Sequence, residues 1–139
     1  WREWFGGEGY AMVIGLNPST ADEVQDDPTV RRCIAYAKAW GYAGLCMTNL
    51  FAFRETDPQK MKEVEDPIGP DNDRHLIDCS RRAGVVVAAW GEHGVHLNRA
   101  AHVTRLLGEL HFLRLNASGQ PGHPLYLPKT LRPLRWIRS

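Results

Sequence analysis

An apolar run near the N-terminus, Tyr10-Ala11-Met12-Val13-Ile14-Gly15-Leu16, ends in the polar turn Asn17-Pro18. The run is rich in apolar and β-branched residues, which predicts a buried strand. Asn17 would then lie at the carboxyl end of that strand, where open α/β sheets bind their ligands. Asn17 is therefore the first candidate site residue.

Three more strands are predicted downstream, separated from one another by helical segments. The strands are Leu45 to Phe51, Val85 to Trp90 and Leu110 to Leu115; helices are predicted from Asp27-Pro28 to Gly41, from Asp71 to about Arg82, and from just after Gly94 to about Leu107. Prolines at 58, 67 and 70 predict an irregular excursion after the second strand. Because strand-helix-strand units need right-handed crossovers, we expect an α/β fold in which helices cover both faces of a four-stranded parallel sheet.

The carboxyl ends of these four strands are expected to share one edge of the sheet. That edge would collect Asn17, Asn49, the turn Trp90-Gly91-Glu92-His93, and His123 from the loop Asn116 to Pro128. Asn49 is informative because a carboxamide in an otherwise apolar strand needs polar partners. Its alternative role is a structural hydrogen bond to a neighbouring loop.

Length and charge limit the classes of function. A chain of 139 residues is expected to form one domain, 1–139. The 17 basic and 16 acidic residues give a net charge of +1, so there is no global field to hold a polyanion, and any contact with nucleic acid must be local. The most basic stretch, Lys129 to Arg138, is either such a patch or a solvated tail.

Three cysteines, Cys33, Cys46 and Cys79, fall in predicted helices or strands, so we expect free, buried thiols in a reducing cytoplasm. No apolar run is long enough to span a bilayer, and we expect a monomer that does not bind membranes. His93, His96 and His102 have no carboxylate or cysteine at ligand spacing, so we expect no metal.

Four short motifs, in order, resemble those of the uracil-DNA glycosylase superfamily. They are Gly15-Leu16-Asn17-Pro18, Met47-Thr48-Asn49-Leu50, Val87-Ala88-Ala89-Trp90-Gly91-Glu92-His93 and His123-Pro124-Leu125-Tyr126-Leu127. The first, with Asn, is similar to the form found in mismatch-specific uracil/thymine glycosylases. The chain also resembles an uncharacterised bacterial family of small proteins through the strings Asn17 to Asp22 and Asp26 to Cys33. This second resemblance covers nearly the whole chain.

This resemblance implies a three-layer α/β/α fold of the uracil-DNA glycosylase type and a hydrolase of DNA base excision repair. Such an enzyme flips uracil or a C5-modified pyrimidine out of single- or double-stranded DNA and hydrolyses its N-glycosidic bond with a positioned water, without a cofactor. It would act in the bacterial cytoplasm, on the nucleoid. By resemblance, Asn17 positions the water, His123 stabilises the leaving base and Asn49 reads the base edge.

The resemblance also assigns the other site residues. Gly15, Leu16, Asn49, Phe51 and Phe53 would form the base pocket, with Phe51 or Phe53 stacked on the base; Ser19, His93, Leu127, Lys129 and Arg132 would contact DNA, with Leu127 as the wedge. Asn17 stands where the most active uracil enzymes have Asp, and an amide cannot take a proton from water. Asp22, Asp26 or Asp27 is then a candidate general base. Small residues at 19 and 20 predict a pocket that admits C5 substituents.

Two other functions remain open on the sequence. The missing carboxylate and the near-neutral charge favour a non-catalytic reader of a modified base. Arg31, Arg32 and Arg54 favour an enzyme of free nucleosides or nucleotides, whose phosphate they would hold. The simplest alternative is that Asn17-Pro18 ends a strand and has no functional role.

Overall fold

The computed structural model describes residues 1–4, 6–18 and 28–137. Within these ranges the strands are β1 (Arg2–Glu3), β2 (Tyr10–Gly15), β3 (Gly44–Asn49), β4 (Val85–Ala88), β5 (His111–Phe112) and β6 (Leu134–Arg135), and the helices are α1 (Pro28–Ala39), α2 (Pro58–Lys62), α3 (Asn72–Ser80) and α4 (Arg99–Leu107). Two 3₁₀ segments, Glu92–Asn98 and Pro124–Tyr126, follow β4 and β5. None of the helices in the described ranges has the length and apolar character needed to cross a membrane.

The strands form one mixed sheet in the order β1-β3-β2-β4-β5-β6. The four inner strands are parallel, which confirms the predicted parallel set. The sheet is larger than predicted, because β1 and β6 add antiparallel strands at its two edges. Each edge strand has two residues, too few to produce a recognisable alternation of apolar and polar residues.

Successive residues of β2 point to opposite faces of the sheet and enter separate apolar clusters. Met12 and Ile14 pack with residues of α3 and α4, whereas Ala11 and Val13 pack with residues of α1. Helices therefore cover both faces of the sheet. All three cysteines are buried and outside any disulfide, as predicted, and burial raises the pKa of the Cys46 thiol to about 12.

The strand predicted from Leu110 to Leu115 is limited to His111–Phe112, and two helical segments also differ from the sequence prediction. The stretch expected to be irregular contains α2, where Asp57 caps the helix by accepting from the Gln59 amide at 2.9 Å and Pro58 occupies the first turn. The third predicted helix begins later than expected, at Arg99, because Leu97 and Asn98 take φ values of 52° and 59° that a right-handed helix cannot contain.

A buried polar cluster holds the turn after β3. Arg99, which is 2% exposed, donates through Nε to the Leu50 carbonyl at 2.8 Å and pairs with Asp73. Asn72 donates to the carbonyls of Leu50 and Asn49 at 2.9 Å each. Burial alone would raise the pKa of the Asp73 carboxyl. The hydrogen bonds that it accepts from His102 and Arg99 have the larger combined effect, so its pKa is lower than the ordinary value. The stabilisation from this carboxylate is therefore present at neutral pH and is lost as the pH falls through the lowered pKa.

We predict that Arg99→Met destabilises the protein by about 1–3 kcal/mol, because it removes the buried guanidinium that donates to the Leu50 carbonyl and pairs with the partly exposed Asp73. Arg81→Met is the matched control, since Arg81 pairs with Asp78 at 3.7 Å on the surface and should contribute only about 0–1 kcal/mol. Urea unfolding of both variants measures the difference. Equal unfolding free energies would show that the buried cluster does not stabilise the fold.

Candidate functional site

A cleft of about 940 Å³ opens at the carboxyl edge of the parallel strands. It brings together seven of the predicted site residues from four separate segments of the chain: Gly15, Leu16, Asn17, Asn49, His93, His123 and Leu127. The volume is that of an ordinary small-molecule site. The predicted convergence of these segments at one edge is confirmed.

Asn17 fastens the end of β2 to the loop after β3. Its Nδ2 donates to the carbonyls of Pro18, Phe53 and Glu55 at 3.3, 3.1 and 2.6 Å. Three acceptors around one atom fix the orientation of the amide. Within the described part of the chain no donor reaches Oδ1, so this oxygen is the acceptor that Asn17 offers to a ligand or a water.

Asn49 lies opposite Gly15 in the parallel pair of β3 and β2. A Cβ at position 15 would lie 2.9 Å from Asn49 Oδ1, so the glycine leaves the space that the carboxamide occupies. The Asn49 backbone is held by Asn72, but its side chain makes no hydrogen bond to any residue in the described ranges. The alternative role of Asn49, a structural bond to a neighbouring loop, is therefore not observed in the described ranges, and Asn49 lines the cleft.

His123 precedes the 3₁₀ segment Pro124–Tyr126 and caps it. Its Nδ1 accepts from the Leu125 amide at 3.3 Å, which makes Nδ1 the acceptor nitrogen of the neutral ring and puts the proton on Nε2. The Tyr126 ring lies 5.4 Å away, centroid to centroid. His123 is therefore arranged as a hydrogen-bond donor through Nε2.

Helix α1 holds the chain that follows His123. Arg32 donates through Nη2 to the Leu127 carbonyl at 2.9 Å, and the Tyr36 hydroxyl donates to the Pro128 carbonyl at 2.6 Å. Trp40, one turn further along, donates a hydrogen bond through Nε1 to a later backbone carbonyl of the same segment at 3.1 Å. These donors are spaced by four residues, so they lie on one face of the helix. Arg32 is thus engaged with the loop and is not oriented as a phosphate ligand.

The cleft also contains charged side chains, of which the sequence analysis named Arg54 as a possible phosphate ligand and Glu92 in the turn after the third strand. Arg2, Arg54 and Arg114 line it together with Glu55 and Glu92. His93 also lines it, and burial together with the nearby Lys62 lowers its pKa, which keeps the ring neutral at pH 7. Glu55 and Arg54 belong to the loop after β3, so their place at the ligand edge was available from the predicted topology.

Two predicted contacts with a base or with DNA need correction. Phe51 is fully buried in the core against the ring of His96, and neither it nor Phe53 lines the cleft. Leu127 is only 7% exposed because the chain turns back onto α1 there, so its side chain packs in the core and cannot act as a wedge. Its neighbour Tyr126, 84% exposed at the rim of the cleft, is the apolar side chain that the loop presents.

Other predicted residues are not part of the cleft lining or fall outside the described ranges. Lys129 and Arg132 are exposed and are not part of the lining. The predictions for Ser19, Asp22, Asp26 and Asp27 fall on residues outside those that the structure describes. In the described ranges, no three His, Cys, Asp or Glu side chains are grouped so as to hold a metal ion.

We predict that Arg32→Met loosens the segment after His123, because it removes the charged donor to the Leu127 carbonyl. Amide exchange in residues 123–128, measured by hydrogen–deuterium exchange, should become about tenfold faster. The exposed neighbour Arg31 provides the control, and Arg31→Met should leave this exchange unchanged. If both variants exchange like the wild type, helix α1 does not hold the loop.

Comparisons with known proteins place the chain in a family but bring no activity. A search of curated proteins found no match, and neither did a search of solved structures. The match to a family model covers residues 1–125, which is most of the chain. The chain therefore belongs to the DUF1643 family, whose description is "protein of unknown function".

Proposed function

We propose that this protein is a DNA base glycosylase that hydrolyses the N-glycosidic bond of uracil or a C5-modified pyrimidine. The observation that carries the proposal is that Asn17, Asn49 and His123, distant in sequence, line one cleft large enough for a base and its sugar. In this proposal the domain has the three-layer arrangement of the uracil-DNA glycosylase superfamily, and damaged or modified DNA is its partner.

Asn49 would select the base. A flipped pyrimidine such as uracil presents an acceptor, O4, beside a donor, N3-H, and a carboxamide can answer both at once. The side chain of Asn49 is suited to this because it is not used within the described part of the protein. Gly15 supports the same role, since any larger residue there would displace the Asn49 oxygen.

Asn17 and His123 would carry the chemistry. Asn17 Nδ2 is committed to loop carbonyls, which leaves Oδ1 to accept from a water and orient it towards the sugar carbon C1′. As the C1′–N bond breaks, negative charge develops on the base, and the Nε2 proton of His123 would stabilise it. A neutral histidine acts here as a hydrogen-bond donor without transferring its proton.

Duplex or single-stranded DNA would meet the rim of the cleft. Tyr126, rather than Leu127, would contact the DNA bases as the wedge, because it is the exposed aromatic ring beside His123. Arg54 and Arg114 line the same cleft and carry the charge that phosphates need. The competing role as a nucleotide enzyme loses Arg32, which is bonded to backbone carbonyls, but it keeps Arg54 in the cleft.

We predict cleavage of at least one base in oligonucleotides that carry uracil, a thymine mispair, hypoxanthine or 5-hydroxymethyluracil. Abasic products are revealed by alkali and gel electrophoresis. His123→Ala should lower the single-turnover rate by about 10²- to 10³-fold, the usual effect of removing a donor to developing charge. Asn49→Ala should lower it by about 10- to 100-fold through lost base recognition.

The control for these variants is His75→Ala, an exposed histidine on α3 that does not line the cleft. It should keep the wild-type rate. Tight binding to a modified oligonucleotide without product would support the reader instead. Turnover of a free nucleotide without DNA would support the nucleotide enzyme, and full activity of His123→Ala would remove the glycosylase mechanism.

We further predict that Tyr126→Ala weakens binding to single-stranded oligonucleotides by about tenfold, because one aromatic ring stacked on a base contributes about 1–3 kcal/mol. Fluorescence anisotropy measures the dissociation constant. Leu134→Ala removes an exposed apolar side chain from β6 and should leave the constant unchanged. Equal affinities for wild type and Tyr126→Ala would mean that DNA does not stack on this ring.

A further inference from the structure

Glu55 is joined to the first motif through both of its backbone groups. Its amide donates to the Pro18 carbonyl at 3.0 Å, and its carbonyl accepts from Asn17 Nδ2 at 2.6 Å. The two bonds run in opposite directions across the same pair of segments. They fix Glu55 beside Asn17 and leave its side chain to line the cleft.

The carboxylate of Glu55 is itself oriented. Its Oε1 accepts from the backbone amides of Thr56 and Asp57 at 3.0 and 3.2 Å. Two donors on one oxygen restrict rotation of the side chain, while within the described ranges no donor reaches Oε2. One oxygen is therefore held by the protein, and the other is available to accept a proton.

The other carboxylates in this region are less suited to act together with Asn17. Glu92 lines the cleft, but it is exposed, bonds Asn116 at 2.8 Å and makes no bond to the first motif. Asp57 uses its carboxylate to cap α2 and is not part of the lining. In the described part of the chain, Glu55 combines a fixed place beside Asn17, an oriented carboxylate and access to the cleft.

We propose that Glu55 is the general base of the glycosylase reaction, a role that rests on the function proposed above. The water held by Asn17 Oδ1 attacks C1′, and as its oxygen forms the new C–O bond its proton passes to Glu55 Oε2. The C1′–N bond breaks, and its electron pair leaves with the base, stabilised by the donor at His123. The deprotonated base then takes a proton from solvent, and Glu55 returns its proton to solvent.

Glu55→Gln tests this role because the glutamine oxygen can still accept from the amides of Thr56 and Asp57, whereas the side chain can no longer take a proton. We expect the single-turnover cleavage rate to fall by about 10²-fold or more, within the range of general-base catalysis. The dissociation constant for an oligonucleotide with a non-cleavable analogue of the substrate base should stay within about twofold. Glu65→Gln, which changes an exposed carboxylate outside the cleft lining, is the control and should keep the wild-type rate.

Chemical rescue separates a base from a residue that only supports the loop. Glu55→Ala should regain activity in added formate, which supplies a small carboxylate, and an oriented but structural glutamate would not show this. The role of Glu55 alone is overturned if the wild type cleaves DNA and Glu55→Gln cleaves it at the same rate, or if formate does not rescue Glu55→Ala. Absence of cleavage by the wild type overturns the glycosylase function and this role together.

Discussion

The parallel pairing of four inner strands brings their carboxyl ends to one edge and exposes there the backbone carbonyls of the following loops. No neighbouring strand can satisfy these groups, so the chain must supply donors in another way. It does so with side chains. Asn17 and Asn72 donate to the loop after β3, and Arg32 donates to the chain after β5. The walls of the cleft are a consequence of this requirement.

Two of the candidate site residues, Asn49 and His123, are thereby supported by residues that do not enter the chemistry. Asn49 is presented by a backbone that Asn72 holds, and the turn beyond it rests on the buried Arg99. His123 stands at the start of a segment that α1 fastens. Rigid support of this kind fixes the position of a side chain more precisely than its own contacts could. Substitution of a supporting residue and substitution of a cleft residue should therefore have different effects. The first should loosen the backbone that holds the site, whereas the second should lower the reaction rate directly.

The sequence was sufficient to predict the inner strands and the edge of the sheet at which the candidate residues meet. A run such as Val85 to Ala88 is apolar enough to be recognised without its neighbours, and parallel pairing then fixes the edge. It was insufficient where position depends on packing. Phe51 follows Asn49 by two residues, yet the turn directs it into the core. Leu127 and Tyr126 are adjacent, and only the bonds of the segment to α1 decide which of them is exposed.

The amide at position 17 follows from the same backbone requirement. An aspartate there would have no hydrogen to donate, and one of its oxygens would face the carbonyls of Phe53 and Glu55, now 3.1 and 2.6 Å from the amide nitrogen. Repulsion between these oxygens would open the loop that Asn17 now closes. The loop thus requires a donor at position 17, and the amide that supplies it cannot take a proton from water. The same bonds draw Glu55 to this position, so the structure that excludes a carboxylate from residue 17 brings one beside it.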